Sequence, residues 1–252
     1  MTSLRWAAPE RHESLPSTNL EALRDPRPGR VVVADHQSAG LGRRGRSWSS
    51  PPGDCLAISA VLPAVAPELA GWVPLAAGVA VVDALAVSRW PVEARLKWPN
   101  DVLVADGPAP GKISGILTQV ADDGAVVVGA GLNVDHDRTR LPVPTATSWR
   151  LARGSSPLPP GARESFLEDY LDRLRDLHRS VAEGDHETLH AAYGSRCATL
   201  GRDVVVHRPD GGRTHGRALR VDHRGALVVA VSPPDGGESV HDAGDVEHLR
   251  EQ

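Results

Sequence analysis

The chain has 252 residues, 40% of them hydrophobic and 24% charged, and a formal net charge of −4. That length allows one large domain, or a medium domain with a small companion, and suffices to bury roughly 70–75% of the surface of the extended chain. The composition is that of a soluble globular protein, and the acidic balance gives no global reason to expect nucleic acid as a partner. In chain order, the opening reads as a short strand near Arg5, a turn through Pro16, and a helix from Thr18 to about Arg24 capped by Ser17. Val31 to Ala34 reads as a buried strand, followed by a Gly-, Arg- and Ser-rich loop from Asp35 to Asp54 and a strand over Cys55 to Leu62. Pro67 to about Ser88 predicts a long apolar helix. Strands over Ala94 to Trp98 and Asp101 to Ala105 meet at Pro99-Asn100. A further pair, Ile113 to Val120 and Ala125 to Leu132, joins at Asp122-Asp123-Gly124. After a proline-rich loop at 154–161, Phe166, Tyr170, Leu174, Leu177 and Val181 mark the stripe of an amphipathic helix, and a second helix is expected over Glu187 to about Leu200. From Gly201 onward, short valine-rich strands alternate with Pro209-Asp210-Gly211-Gly212, His223-Arg224-Gly225 and Pro234-Asp235-Gly236-Gly237. This spacing predicts a small antiparallel barrel. The expected division is 1–198 and 199–252.

Cys55 and Cys197 form no CxxC pair, which fits a reducing compartment. The N-terminus lacks the apolar core of a signal peptide, and Trp72 to Val87, with Pro74 and Asp83 inside it, falls short of a membrane span. A cytoplasmic protein without membrane contact is expected. Of 28 basic residues only Lys97 and Lys112 are lysine, and asparagine occurs only at Asn19, Asn100 and Asn133. A chain so depleted in both types is expected to keep them where arginine or another polar residue fails, since lysine is a compact point charge and arginine a wide planar fork.

Three familiar patterns nearly match and are set aside on context. Gly40-Leu41-Gly42-Arg43-Arg44-Gly45 fits GxGxxG, but a dinucleotide site needs these glycines to open a helix, and Ser49-Ser50-Pro51-Pro52-Gly53 follows at once. Gly111-Lys112 lacks both the first glycine and the Ser or Thr of a phosphate loop. His186-Glu187-Thr188-Leu189-His190 is a true HExxH on a predicted helix, but Arg196 stands where a third histidine ligand would fall; a zinc hydrolase using His186 and His190 remains an alternative. No metal site is expected from a direct protein motif.

Arg43, Arg44 and Arg46, interleaved with Gly42 and Gly45 and followed by Trp48, form the strongest local feature. Glycines let backbone N–H groups approach an anion, and the guanidiniums supply forked donors for phosphate or carboxylate. With Ser17-Thr18-Asn19, Gln37 to Trp48, Lys97-Trp98-Pro99-Asn100-Asp101, Gly111 to Leu117 and Gly129 to Val134, the chain resembles the biotin–protein ligases over nearly its whole length. The resemblance implies an α+β fold: a catalytic domain like that of class II aminoacyl-tRNA synthetases, mainly antiparallel sheet with flanking helices, and a C-terminal SH3-like barrel. It implies formation of biotinyl-5'-AMP from biotin and ATP with Mg²⁺, then transfer to a lysine of a biotin carboxyl carrier domain.

The same resemblance implies residue roles. Ser17, Thr18, Asn19, Gln37, Gly40, Gly42 and Arg43 would bind biotin, with Ser17, Thr18 and Gln37 on the ureido ring, and Gly115, Leu117 and Leu132 would wall the thiophene ring and tail. Lys112 would meet the biotin carboxylate and then the α-phosphate. Arg43, Arg44, Arg46, Trp48, Lys97, Asn100 and Asn133 would frame the nucleotide. Lys112, Arg43 and Asp101 are the expected catalytic residues, with Asp101 orienting the acceptor amine or acting as a turn aspartate. Thr18 fits a helix start equally, and Trp48 a loop anchor. Leu41 stands where many members have arginine, and Gly107 to Pro110 lengthen the turn before Lys112. With the Ser-Thr-Asn motif at residue 17, no operator-binding domain and no DNA partner are expected, and the chain is expected to be a monomer or weak homodimer. A lipoate or octanoyl transferase and a non-catalytic nucleotide-binding module are the other readings.

Overall fold

Valine-rich segments with alternating faces build two sheets, and a computed structural model describes them over residues 4–48, 51–233 and 236–249. Ser49 and Ser50 of the predicted loop, and Pro234 and Asp235 of the last predicted turn, lie outside the described residues. The order is β1 (Glu10–His12), α1 (Thr18–Leu23), β2 (Val31–Ala34), a ribbon of β3 (Gly40–Leu41) and β4 (Ser47–Trp48), β5 (Cys55–Leu62), α2 (Trp72–Val87), β6 (Arg95–Lys97), β7 (Asp101–Val104), β8 (Gly111–Val120) and β9 (Val126–Asn133). Then come α3 (Trp149–Ala152), α4 (Ala162–Glu183) and α5 (His186–Gly194). Strands β10 (Asp203–His207), β11 (Arg213–Val221), β12 (Leu227–Val231), β13 (Glu238–His241) and β14 (Asp245–His248) close the chain. The large sheet runs β1-β2-β5-β9-β8-β7-β6. Its strands pair antiparallel except β1 with β2.

One face of this sheet buries Ile58, Ala60, Ile116, Val128, Ala130 and Leu132 in a core shared with α2 and the expected stripe of α4. Apart from Asp83, which pairs with Arg173 and Arg196, helix α2 is apolar and is largely buried among these elements. The opposite face carries α1 over a small cluster of Ala22, Val32, Val61 and Val127, leaving the rest of that face open. The C-terminal sheet, ordered β13-β12-β11-β10-β14, adds Val204, Val206, Leu227, Val229 and Val246 to the main core. Two indoles fasten it: Trp72 Nε1 donates to the His223 carbonyl at 3.0 Å and Trp98 Nε1 to that of Gly225 at 3.2 Å. No helix among the described residues is long and apolar enough to cross a membrane.

The structure corrects four expectations. The first strand is Glu10–His12 rather than near Arg5, because pairing with β2 in register Glu10↔Val32 determines it. The predicted helix from Pro67 begins as a 3-10 turn, Pro67–Leu69, and becomes α-helical only at Trp72. The second C-terminal helix ends at Gly194; Leu96 N–H then donates to the Arg196 carbonyl, and Ala198 N–H to the Leu96 carbonyl, drawing the chain alongside β6. The loop over 35–54 contains the β3–β4 ribbon and a 3-10 turn at Arg43–Gly45.

Candidate functional site

The register of three neighbouring strands makes the floor of a cavity of about 350 Å³. Gly129 of β9 sits between Ser59 of β5 and Leu117 of β8, and Gly131 between Ala57 and Gly115. Cross-strand partners share a face, so the open side of the sheet carries only glycine and alanine along the row Ala57-Gly131-Gly115, and Gly129 between Ser59 and Leu117 in the next. Bulk is excluded there by direct contact. A methyl on Gly131 would lie 2.5 Å from the Trp48 ring and one on Gly115 3.1 Å from it. A methyl on Gly129 would collide with Asn19 Oδ1. Trp48 therefore lies over the glycine floor, with its Nε1 3.4 Å from Cys55 Sγ.

At one end α1 presents polar groups. Ser17 is the N-cap, its Oγ accepting from Leu20 N–H, and it is buried. Thr18 N–H donates to Gln37 Oε1 at 2.8 Å, with Thr18 Oγ1 3.1 Å from the same oxygen. Gln37 is thereby oriented with its amide nitrogen over Gly40, where a methyl would stand 2.9 Å from Nε2. Asn19 faces inward from the helix: Nδ2 donates to the Leu117 carbonyl and to Gln119 Oε1, and Oδ1 accepts from Ser59 at 2.6 Å. With both amide ends engaged, Asn19 clamps α1 to the floor rather than offering a spare donor. Ser59, fully buried and 2.8 Å from Thr18 Oγ1 as well, was not singled out from the sequence; only the strand register reveals it.

The other end is cationic. Lys112 Nζ pairs with Asp101 Oδ1 at 2.5 Å and lies 5.6 Å from the Trp48 ring centre. Its strand is held by a segment that carries no motif. Lys112 N–H donates to the Thr145 carbonyl and Thr147 N–H to the Lys112 carbonyl, both at 2.8 Å. Gly111 is glycine because a methyl there would stand 2.8–2.9 Å from the Thr145 and Ala146 backbone, which gives a packing reason for the Gly-Lys pair. Asn133 Nδ2 donates to the Thr147 carbonyl at 3.0 Å, bracing the same crossing. Arg43 Nη1 donates to Asn100 Oδ1 and Asn100 Nδ2 to the Ile116 carbonyl. Burial holds the Arg43 guanidinium below the usual arginine range, and repulsion from Arg44 and Arg46 adds to this against the pull of Asp245 and Asp101. An anion placed here relieves that repulsion.

Ser17, Thr18, Asn19, Gln37, Gly42, Arg43, Arg46, Trp48, Asn100, Asp101, Lys112, Gly115, Leu117 and Asn133 thus come together around one cavity. Gly40 lies behind Gln37 in the ribbon. Leu132 does not join them: it pairs with Leu56 and Ser114 and lies in the core on the opposite face. Lys97 is on edge strand β6, beyond Asp101, outside the cavity lining. Arg44 also lies outside it, with its side chain on the C-terminal sheet. Pro142, Val143, Thr145 and Ala146 line the cavity and were not anticipated. His186 and His190 are remote from it: His190 packs edge-on against Trp72 at 4.9 Å, and His186 lies 6.3 Å from His190. Among the described residues no group of three or more His, Cys, Asp or Glu is placed to hold a metal ion.

Residues 11–137 match the model of the biotin/lipoate A/B protein ligase family. The chain is 37% identical over 229 residues to the biotin–[acetyl-CoA-carboxylase] ligase of Mycobacterium tuberculosis, covering 88% of this chain and 80% of that one. It is 33% identical to the Paracoccus denitrificans enzyme of the same name over 84% of this chain and 90% of the other. Among solved structures, it superposes on the biotin protein ligase of Aquifex aeolicus in complex with biotin and ATP with a TM-score of 0.79. That superposition covers 98% of this chain and all of that one at 24% identity, a likeness of fold.

Proposed function

Because the chain belongs to the biotin/lipoate A/B protein ligase family, we propose that its cavity makes biotinyl-5'-AMP from biotin and ATP and passes the biotinyl group to a lysine of a biotin carboxyl carrier domain. The observation that carries this reading is one cavity with a neutral hydrogen-bonding end at Thr18 and Gln37 and a cationic end at Lys112, Arg43 and Arg46, joined by a glycine floor. A cyclic urea needs both acceptors and donors, which Ser17, Thr18 and Gln37 supply together. The floor admits a flat bicycle and its aliphatic tail, leaving the tail's carboxylate beside Lys112. The apolar rim of Pro142, Val143 and Ala146 suits the adenine base.

In the first step a carboxylate oxygen attacks the α-phosphorus, the P–O bond to the β-phosphate breaks, and pyrophosphate leaves with its electron pair. The reaction brings two anions together, and fixed cations in a water-poor site offset the growing charge; one such donor is worth about 3–4 kcal/mol in the transition state. Lys112 must leave Asp101 to meet the carboxylate. This frees the Asp101 carboxylate beside the mixed anhydride, where it can accept a proton from the incoming lysine amine. That amine attacks the carbonyl carbon and AMP departs. Mg²⁺ enters as part of the ATP substrate.

The proposed division is a catalytic unit over 1–198 and a β unit over 199–252. Acting in the cytoplasm, as a monomer or weak homodimer and without operator binding, completes the reading. The test is intact-mass spectrometry of a biotin-carboxyl-carrier domain incubated with the protein, MgATP and biotin. A gain of one biotinyl group that requires ATP is expected. No gain on a competent acceptor, or equal gain with lipoate, overturns the assignment.

A further inference from the structure

The arginines of the glycine-rich loop, although Arg44 and Arg46 are exposed, converge on one turn of the C-terminal sheet. Arg44 Nη1 lies 3.3 Å from Asp245 Oδ2 and Arg46 Nη2 lies 2.9 Å from Asp245 Oδ1, so a single carboxylate bridges two guanidiniums. Arg43 Nη1 donates to the Gly244 carbonyl and Arg44 Nη2 to that of His207, both at 3.3 Å. The turn is itself fixed: a methyl on Gly244 would stand 2.8 Å from Val206 Cγ1 and 3.8 Å from Trp98, so the turn is pressed against strand β10 and the core. Arg44 occupies the left-handed region at φ 56°, a conformation costly for a non-glycine residue unless its surroundings hold it. The contacts that hold it are those to Asp245 and His207.

We propose that Asp245 is a positioning residue that stands in for phosphate, gathering the loop arginines over the cavity before nucleotide arrives and keeping the loop closed over the adenylate afterwards. Three guanidiniums brought together without an anion repel one another, and the carboxylate removes that penalty at the point where the loop must close. When the triphosphate binds, Arg43 and Arg46, which line the cavity, exchange carboxylate and carbonyl partners for phosphate oxygens, while Arg44 stays on the sheet as the hinge. The role in adenylate retention rests on the function proposed above; the gathering of the loop does not.

The test is limited trypsin digestion of the ligand-free full chain, followed at the bonds after Arg43, Arg44 and Arg46. Asp245→Ala should speed cleavage there about tenfold or more, Asp245→Glu should restore most of the protection, and MgATP with biotin should restore it to the Ala variant, because phosphates then replace the carboxylate. Cleavage after Arg213 and Arg217 reports whether the C-terminal sheet has unfolded. If it accelerates too, Asp245→Asn, which keeps the shape and loses the charge, carries the comparison. In Asp245→Ala and Asp245→Asn, AMP formed per carrier biotinylated should rise several-fold: adenylate that escapes is attacked by water at its carbonyl carbon, giving biotin and AMP. Unchanged loop cleavage in both Asp245→Ala and Asp245→Asn overturns the proposal. Loss of biotinylation by the wild-type chain would overturn the ligase reading while leaving the digestion result intact.

Discussion

Gly129→Ala tests whether the cavity floor and the helix above it are one mechanical unit. A methyl at this position meets Asn19 Oδ1, so the amide must move. Moving it surrenders the hydrogen bond from Ser59 and the two donated to Leu117 and Gln119. Each such bond is worth about 1 kcal/mol net, and the gain from replacing glycine in a strand returns about 0.5–1 kcal/mol. The expected cost is therefore about 2 kcal/mol, a fall in Tm of about 4–8 °C for a chain of this size. Thermal unfolding by circular dichroism reads it directly. The decisive arm is the double variant: with Asn19→Ala already present the collision is gone, so Gly129→Ala should then be neutral or slightly stabilising, a coupling of about 2 kcal/mol. Additive single effects would refute the reasoning, because they would mean the methyl is accommodated without displacing Asn19.

Lys112→Ala should lower adenylate formation by about 10²–10³, measured by ATP–pyrophosphate exchange, and Lys112→Arg should not rescue it because the planar fork cannot take the position of a compact ammonium. Turnover near wild type in either variant would remove Lys112 from the chemistry. Asn133→Asp puts a carboxylate against the Thr147 carbonyl that now accepts its amide proton; a fall of about 2–4 °C in Tm and a raised KM for ATP with an unchanged KM for biotin are expected. Burial pushes the His248 imidazole down to about 4, with Lys97 and Arg202 adding repulsion. The unfolded chain therefore binds more protons between pH 6.5 and about 4. The contribution is full above 6.5 and is lost as pH falls through that window. His248→Gln should flatten the acid side of the Tm-against-pH curve, leaving the slope from buried His136, His178 and His241, which are depressed by burial in the same direction. Parallel curves for the two proteins would contradict it.

Strands β5, β8 and β9 were legible in the sequence to within a residue or two, and α4 by its apolar stripe, because burial of one face or of both imposes the pattern. What failed was parity. Leu132 and Asn133 are adjacent on one strand and cannot both face the cavity; with Gly131 and Asn133 on the floor, Leu132 belongs to the core, where it is found. The rim at 142–146 was invisible for another reason. It has no regular secondary structure and earns its place only by pairing with Lys112 across the fold. Lys97 and Asn100 sit in one short string, yet a strand turn separates them, so contiguity in sequence does not place both at the site.

The scarcity of asparagine acquires a structural meaning from these contacts. Asn19 donates its amide protons to the Leu117 carbonyl, Asn100 to that of Ile116, and Asn133 to that of Thr147. All three tie their element, a helix, a turn and a strand, to backbone carbonyls around the cavity, and two of them use the amide oxygen as well, toward Ser59 and Arg43. Aspartate has the shape but, when ionised, no proton to give to a carbonyl, and serine has the proton but not the reach. A side chain that donates and accepts at once over that span is what positions 19 and 100 demand, and position 133 needs the donor. The same depletion leaves Lys112 as the cavity's sole lysine among fixed guanidiniums. On the function proposed above, its ion pair with Asp101 holds this cation apart from the arginines, and an anionic substrate is what would draw it away.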